Sequence, residues 1–202
     1  MRHPEEAARM EEGIRAYSAK RVAVVSTGAE LVDGRVHDTN FEAARELMGA
    51  AGFEVEFGGT VGDEEQQIAG RVNRLSGEGY GIVITTGGVG AEAKDKTIEA
   101  LTLLDPAIAT AILAQFEAGH GRHVKDSIRI AVARVGYGIA VALPGPTHEV
   151  RAALPVLLAE LAAGSPPEAM VEAMAKPLRA LLPSAMHKHH HHHGHHHHGR
   201  HE

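Results

Sequence analysis

Gly81-Ile-Val-Ile-Thr-Thr-Gly-Gly-Val-Gly-Ala-Glu-Ala-Lys-Asp-Lys-Thr-Ile98 sets a short apolar run, a glycine-rich turn and a helical pattern in direct succession. Ile82, Val83 and Ile84, bounded by glycine, read as a fully buried parallel strand. Thr85-Thr-Gly-Gly-Val-Gly90 carries too little side chain to build a core, and a helical pattern follows from about Lys96. Strand, bare turn and helix in that order present backbone N–H groups at the carboxyl end of a sheet, where phosphate-bearing ligands are received. A tight connection that needs glycine only for its backbone angles accounts for the same glycines. Lys94-Asp95-Lys96 favours a site, because a carboxylate between two cations beside an anion-receiving loop suits phosphate and metal chemistry.

Upstream, Arg21-Val-Ala-Val-Val-Ser26 reads as the first core strand and ends in Thr27-Gly28. The following segment holds Glu30, Asp33, Gly34, Asp38 and Asn40 without periodicity, a polar loop at a strand's carboxyl end. One of Asp38, Thr39 and Asn40 must also cap the helix expected to run to Ala51. Phe53, Val55 and Phe57 alternate with Glu54 and Glu56 and predict a half-buried strand toward the sheet edge. Val61-Gly62-Asp63 leads into a helix through Leu75 whose acidic first turn suits the helix dipole. Asp63 stands apart, just past a strand's end on the side where Gly87 and Gly88 are expected.

Downstream, helices are expected over residues 96–104 and 106–118, the second started by Pro106. Residues 119–126 concentrate His120, Arg122, His123 and Lys125, read as a basic loop or anion contact in preference to a metal site. Ile128 to Val135 and Gly138 to Leu143 predict two strands joined by Gly136-Tyr137, a turn of hairpin length. Leu143-Pro-Gly-Pro-Thr-His-Glu149 then opens a helix to about Ala162, with Thr147 as its expected cap. Residues 4–17 predict an amphipathic extension that packs on the domain or on a neighbouring subunit. Gly164-Ser-Pro-Pro167 reads as a linker before one more helix over residues 168–182.

The chain has 202 residues, ample for one domain with appendages, and only 3% aromatics, so Val, Ile, Leu and Ala must supply the packing. A formal charge of −6 without a long basic face argues against nucleic-acid binding. The absence of cysteine excludes disulfides and thiolate metal sites and suits a reducing compartment. No apolar stretch approaches the roughly 18 residues of a spanning helix. The expectation is a soluble, cytoplasmic protein without membrane partners. Residues 187–202 cannot bury a core and instead invite nickel or zinc through His189, His190, His191, His192, His193, His195, His196, His197 and His198. A purification tag is the alternative, but runs of five and four broken by Gly194 differ from a single run of six, and the tract is read as a native tail.

Taken as an ordered set, Val24-Val-Ser-Thr-Gly-Ala-Glu-Leu31, Gly34, Asp38-Thr-Asn40, Val61-Gly-Asp63, Thr86-Gly-Gly-Val-Gly90, Lys94-Asp-Lys-Thr97 and Leu143-Pro-Gly-Pro146 resemble a known family. It is the molybdopterin-binding domain shared by the MoaB/Mog proteins, MoeA and the N-terminal part of CinA, over roughly residues 20–162. The resemblance implies an α/β fold: three α/β/α layers with a mainly parallel sheet and one antiparallel strand. The resulting plan is an N-terminal extension (1–18), the binding domain (19–163), a linker with C-terminal helix (164–186) and the His-rich tail (187–202).

The resemblance also assigns chemistry. Asp63 and Asp95 take the place of acidic residues that assist nucleotide transfer or metal insertion, with Mg²⁺ held between them. Ser26, Thr27, Gly28, Glu30, Asp38, Asn40, Thr86, Gly87, Gly88, Gly90, Lys94, Thr97, Pro144 and Gly145 become contacts for molybdopterin or a nucleotide such as ATP or AMP. The chain departs from CinA in having Ala91-Glu92 and Lys94-Asp95 in place of Gly-Pro-Thr and a paired Asp-Asp. Neither the deamidase domain of full-length CinA nor the added domains of MoeA falls within this sequence. Three functions are implied: a MoaB/Mog-type protein that binds or adenylylates molybdopterin, a CinA-type ADP-ribose pyrophosphatase, or a non-enzymatic cofactor or metal carrier. Family members often form trimers through Ala/Leu-rich helices, and residues 106–118, apolar around most of a helix, are expected to do so here.

Overall fold

A computed structural model describes residues 4–28, 38–116 and 124–182. The elements in order are α1 (Pro4–Ser18), β1 (Arg21–Thr27), α2 (Asn40–Ala50), β2 (Glu54–Val61), α3 (Glu65–Gly77), β3 (Ile82–Thr86), α4 (Thr97–Leu104), β4 (Ala109–Gln115), β5 (Ser127–Val135), β6 (Gly138–Leu143), α5 (Thr147–Ala163) and α6 (Pro167–Leu181). The six strands form one sheet in the order β2-β1-β3-β6-β5-β4. β1, β2, β3 and β6 pair in parallel, and β5 runs antiparallel to both of its neighbours. The expected three-layer α/β/α fold with one antiparallel strand is therefore the observed one.

Side chains alternate in size along the central strands, and this sets the two faces. Val22, Val24, Ile130, Val132, Val141 and Leu143 project to one face, where α2, α5 and α6 cover them. Ala23, Ala131, Ala133, Ala140 and Ala142 project to the other, where small side chains let α3 and α4 sit close. α6 is part of the core: Met174 and Leu178 are 0% and 1% exposed. Burying side chains of that size stabilises the fold by about 1.5–3 kcal/mol each. The helix runs through Pro177 despite the ring's missing N–H.

From β1 the chain turns through α2 to β2 on one side, then returns through α3 to β3 on the other side of β1. This reversal opens a crevice at the carboxyl ends of β1 and β3, the position at which open α/β sheets receive ligands.

Two sequence expectations change. Residues 106–116, the described part of the expected helix over 106–118, do not form one. Asp105 ends α4, its side chain accepts the N–H of Ala107 (3.0 Å) and of Arg134 (2.7 Å), and the chain leaves as edge strand β4. Ala109, Ala111 and Leu113 face the core while Thr110 and Ile112 face outward, an alternation that an Ala/Leu-rich composition disguised as helix. Arg179 covers the new edge by donating to the Ile112 carbonyl (2.8 Å). Phe57, expected to face inward, is 49% exposed, because β2 is an edge strand with an irregularity opposite Val24 and Val25. Helix α1 leaves Met10, Ile14 and Tyr17 exposed, and joins the sheet through the Ser18 carbonyl, which accepts the Gly81 N–H (2.9 Å).

Candidate ligand-binding site

A cavity of about 560 Å³ runs along the carboxyl edge of the sheet. Thr27 and Gly28 reach it from the end of β1, Asp63 from beyond β2, Thr86 from the end of β3, Gly87, Gly88, Gly90, Lys94 and Asp95 from beyond it, and Pro144 and Gly145 from beyond β6. Asp38 and Asn40 reach it from the start of α2. The topology thus gathers most of the residues singled out in the sequence, although they span over a hundred positions.

The glycine turn is held from behind by two threonines. Thr27 Oγ1 donates to the Thr86 carbonyl (3.2 Å), and Thr97 donates to the Gly87 carbonyl (2.9 Å) through its hydroxyl and to the Gly88 carbonyl (3.0 Å) through its N–H. Gly87 and Gly88 adopt φ of +98° and +64°, and a Cβ on Gly87 would lie 2.7 Å from the Thr27 carbonyl oxygen. A Cβ on Gly88 would collide with the Thr97 hydroxyl. Among the described residues, the N–H groups of Gly88, Val89 and Gly90 take part in no hydrogen bond. Thr97 is therefore part of the scaffold and does not line the cavity. Ser26 is likewise behind the wall: wholly buried, it donates to Asp38, whose other carboxylate oxygen accepts the Asn40 N–H (2.9 Å).

Asp95 does not pair with the flanking lysines as its sequence position suggests. Its Oδ2 accepts the Glu92 N–H (2.8 Å), so the carboxylate shapes the loop beside Gly90. Lys94 lies 3.9 Å from Glu92, and Lys96 bonds Glu65 at 3.2 Å. Lys125 donates to the Asp95 carbonyl and pairs with Glu99 at 2.6 Å, tying the loop to the start of β5. Glu30, His120, His123 and the histidine tract lie outside the described residues.

The starts of α2 and α5 are stapled together across the cavity. Asn40 Nδ2 donates to the Gly145 carbonyl (2.8 Å), and the hydroxyls of Thr39 and Thr147 meet. Thr147 lies within α5, and Pro146, not Thr147, occupies the cap position. Of three buried side-chain atoms without a hydrogen-bond partner among the described residues, Asn40 Oδ1 and Thr86 Oγ1 belong to residues lining this cavity.

Sequence reasoning missed several lining residues. Glu149 stands in the first turn of α5, yet its side chain is only 15% exposed and lines the cavity beside His148, 3.9 Å away. Burial raises its carboxyl above the ordinary value, and His148 partly opposes this. Its position just past Pro-Gly-Pro at a strand's carboxyl end was the available signal. Leu113, Ile128 and Leu182 add an apolar wall; Leu113 was hidden by the helix reading of β4.

Known proteins share this fold. A family described as "Probable molybdopterin binding domain" matches residues 23–163. Curated relatives include CinA-like proteins from Syntrophotalea carbinolica (36% identical over 76 residues, 38% of this chain) and Mycolicibacterium vanbaalenii (29% over 163 residues, 65% of this chain). The chain spans 18% and 39% of the length of those two relatives. Similar solved structures include the molybdopterin biosynthesis Mog protein of Mycobacterium ulcerans, at 20% identity and TM-score 0.58, covering 76% of this chain and 99% of that one. The protein CinA of Thermoplasma acidophilum is similar at 20% identity and TM-score 0.56, covering 71% and 99%. At such identities the likeness shows a shared fold. No helix of the described residues is long and apolar enough to cross a membrane.

Proposed function

We propose, for a chain that belongs to the family of probable molybdopterin-binding domains over residues 23–163, that the cavity binds the phosphate end of molybdopterin or a related nucleotide beside a divalent cation. The observation that carries this reading is the meeting of the glycine turn, the start of α5 and the carboxyls of Asp63 and Asp95 in one cavity. The amides of Gly88, Val89 and Gly90 would donate to phosphate oxygens, with the dipole of α4 behind them. Thr27 and Thr97 hold that turn, and the Glu92 N–H orients Asp95. Among the described residues no three His, Asp or Glu side chains gather around one point. Two carboxylates suffice for Mg²⁺, which is commonly held by one or two carboxylates plus the substrate's phosphates. Bound there, Mg²⁺ supplies charge neutralisation at the phosphoryl group.

Two reactions suit this arrangement. One is adenylylation of molybdopterin with ATP in cytoplasmic molybdenum-cofactor assembly. The other is cleavage of the diphosphate of ADP-ribose, favoured by the CinA-like names of the curated relatives. Turnover of molybdopterin with ATP, or of ADP-ribose, each with Mg²⁺, separates the two; tight binding without either reaction identifies a carrier. Calorimetry with Gly88→Ala tests the site itself. Loss of ligand binding by a folded variant supports the reading, and full binding overturns it. The histidines of residues 187–202 are proposed as a separate nickel or zinc site, which deletion of that tract should remove. Self-association, expected above as a trimer, is proposed to use the exposed face of α1 in place of the discarded 106–118 helix.

A further inference from the structure

The cavity has two chemically different ends. The glycine turn, Asp63, Lys94 and Asp95 lie toward β2, β1 and β3, whereas Leu113, Ile128 and Leu182 come from β4, β5 and the end of α6 on the other half of the sheet; Glu149 enters from α5, which follows β6, the strand between β3 and β5. β3 and β5 are separated by two inter-strand spacings, about 10 Å, so a ligand anchored by phosphate at the turn extends toward the apolar wall. An apolar wall favours a flat ring over a hydrated sugar. The unpartnered groups along the cavity ask for donors: Asn40 is 6% exposed, its Nδ2 is committed to the Gly145 carbonyl, and its Oδ1 has no partner. Thr86, 1% exposed, carries an unpartnered hydroxyl that can accept as well as donate. Glu149 adds two further acceptor oxygens, contacted among its neighbours by His148, which is itself 68% exposed and turned to solvent.

We infer that Glu149 reads the ring of the bound ligand, and that its carboxylate selects a 2-amino-4-oxo heterocycle, the edge shared by pterins and guanine, over adenine. This rests on the phosphate reading of the glycine turn. A carboxylate accepts two parallel bonds from an adjacent ring N–H and amino group. Adenine offers one amino group beside a ring nitrogen acceptor, which would set lone pair against lone pair. A mismatched donor–acceptor edge of this kind typically costs about tenfold to a hundredfold in affinity.

The test is calorimetric titration of the full chain with guanosine 5′-monophosphate and adenosine 5′-monophosphate in magnesium buffer, for wild type, Glu149→Gln and Gly88→Ala. The expected result is wild-type preference for the guanine nucleotide by about tenfold or more, lost in Glu149→Gln while adenine-nucleotide affinity stays within about twofold. An unchanged preference in a Glu149→Gln protein with native circular dichroism overturns the inference and leaves the phosphate reading standing. Retention of both nucleotides by Gly88→Ala, or no binding of either by wild type, overturns the phosphate reading and this inference with it.

Discussion

Asp95, proposed above as a carboxylate beside the cation, also shapes the loop that presents it. Because its Oδ2 accepts the Glu92 N–H, the consequence of a substitution depends on whether an acceptor survives. Asp95→Asn keeps a carbonyl oxygen there and is expected to change stability by no more than about 0.5 kcal/mol while abolishing metal-dependent turnover. Asp95→Ala leaves the Glu92 amide without its partner and is expected to cost about 1 kcal/mol. Urea denaturation of both variants checks this, and equal destabilisation would show that the bond does not hold the loop. Glu149 poses the opposite case. Its folded-state carboxyl is raised by burial, so its contribution is favourable below the unfolded pKa and is lost as pH rises through the folded pKa. Glu149→Gln should therefore unfold at higher denaturant than wild type near neutral pH, the two converging below about pH 4 where wild type is neutral too. A lower midpoint for the variant at neutral pH would mean that the carboxylate has a stabilising partner. That Asp95 lies beside the glycine turn was legible in the sequence because its loop is local. Glu149's place just past Pro-Gly-Pro hinted at the same, but only the crossing from β6 to α5 turns a helix's first turn into a cavity wall.

Among the elements, β4 and α6 explain where sequence reading stopped. Short, glycine-bounded apolar runs mark the central strands, and β1, β3, β5 and β6 are read correctly from them. β4 is not, because Ala109 to Leu113 carries strong helix formers, and pairing with β5 overrides their propensity. That same pairing brings Leu113 to the cavity, so one misread element concealed part of the site. α6 was read as a helix behind a linker, with no hint that it seals the face of β4 and β5. Leu178, fully enclosed there, is expected to cost about 2–5 kcal/mol when replaced by alanine, as a two-state denaturation midpoint would report. A loss below about 1 kcal/mol would mean that the helix is peripheral to the fold.

At the scale of the molecule, the two ends of the sheet have different characters. The carboxyl end is the cavity. At the amino end, α1 lies with Met10, Ile14 and Tyr17 exposed and Arg15 over the ring of Tyr137, which is itself 62% exposed. Association through this face should appear in light scattering at micromolar concentration as a stable multiple of 21.4 kDa, abolished by Ile14→Glu. A monomer mass throughout would dispose of the idea. The layered architecture was legible because core strands announce themselves individually. Which strand ends share a wall depends on strand order, which no local pattern encodes. The termination of α6 at the cavity has a practical use. Leu182 lines the cavity, Leu181 beside it is 45% exposed, and the chain contains no cysteine. A Leu181→Cys protein would accept a single environment-sensitive dye at the lip of the cavity, turning the last helix into an optical gauge of occupancy that needs no knowledge of the reaction.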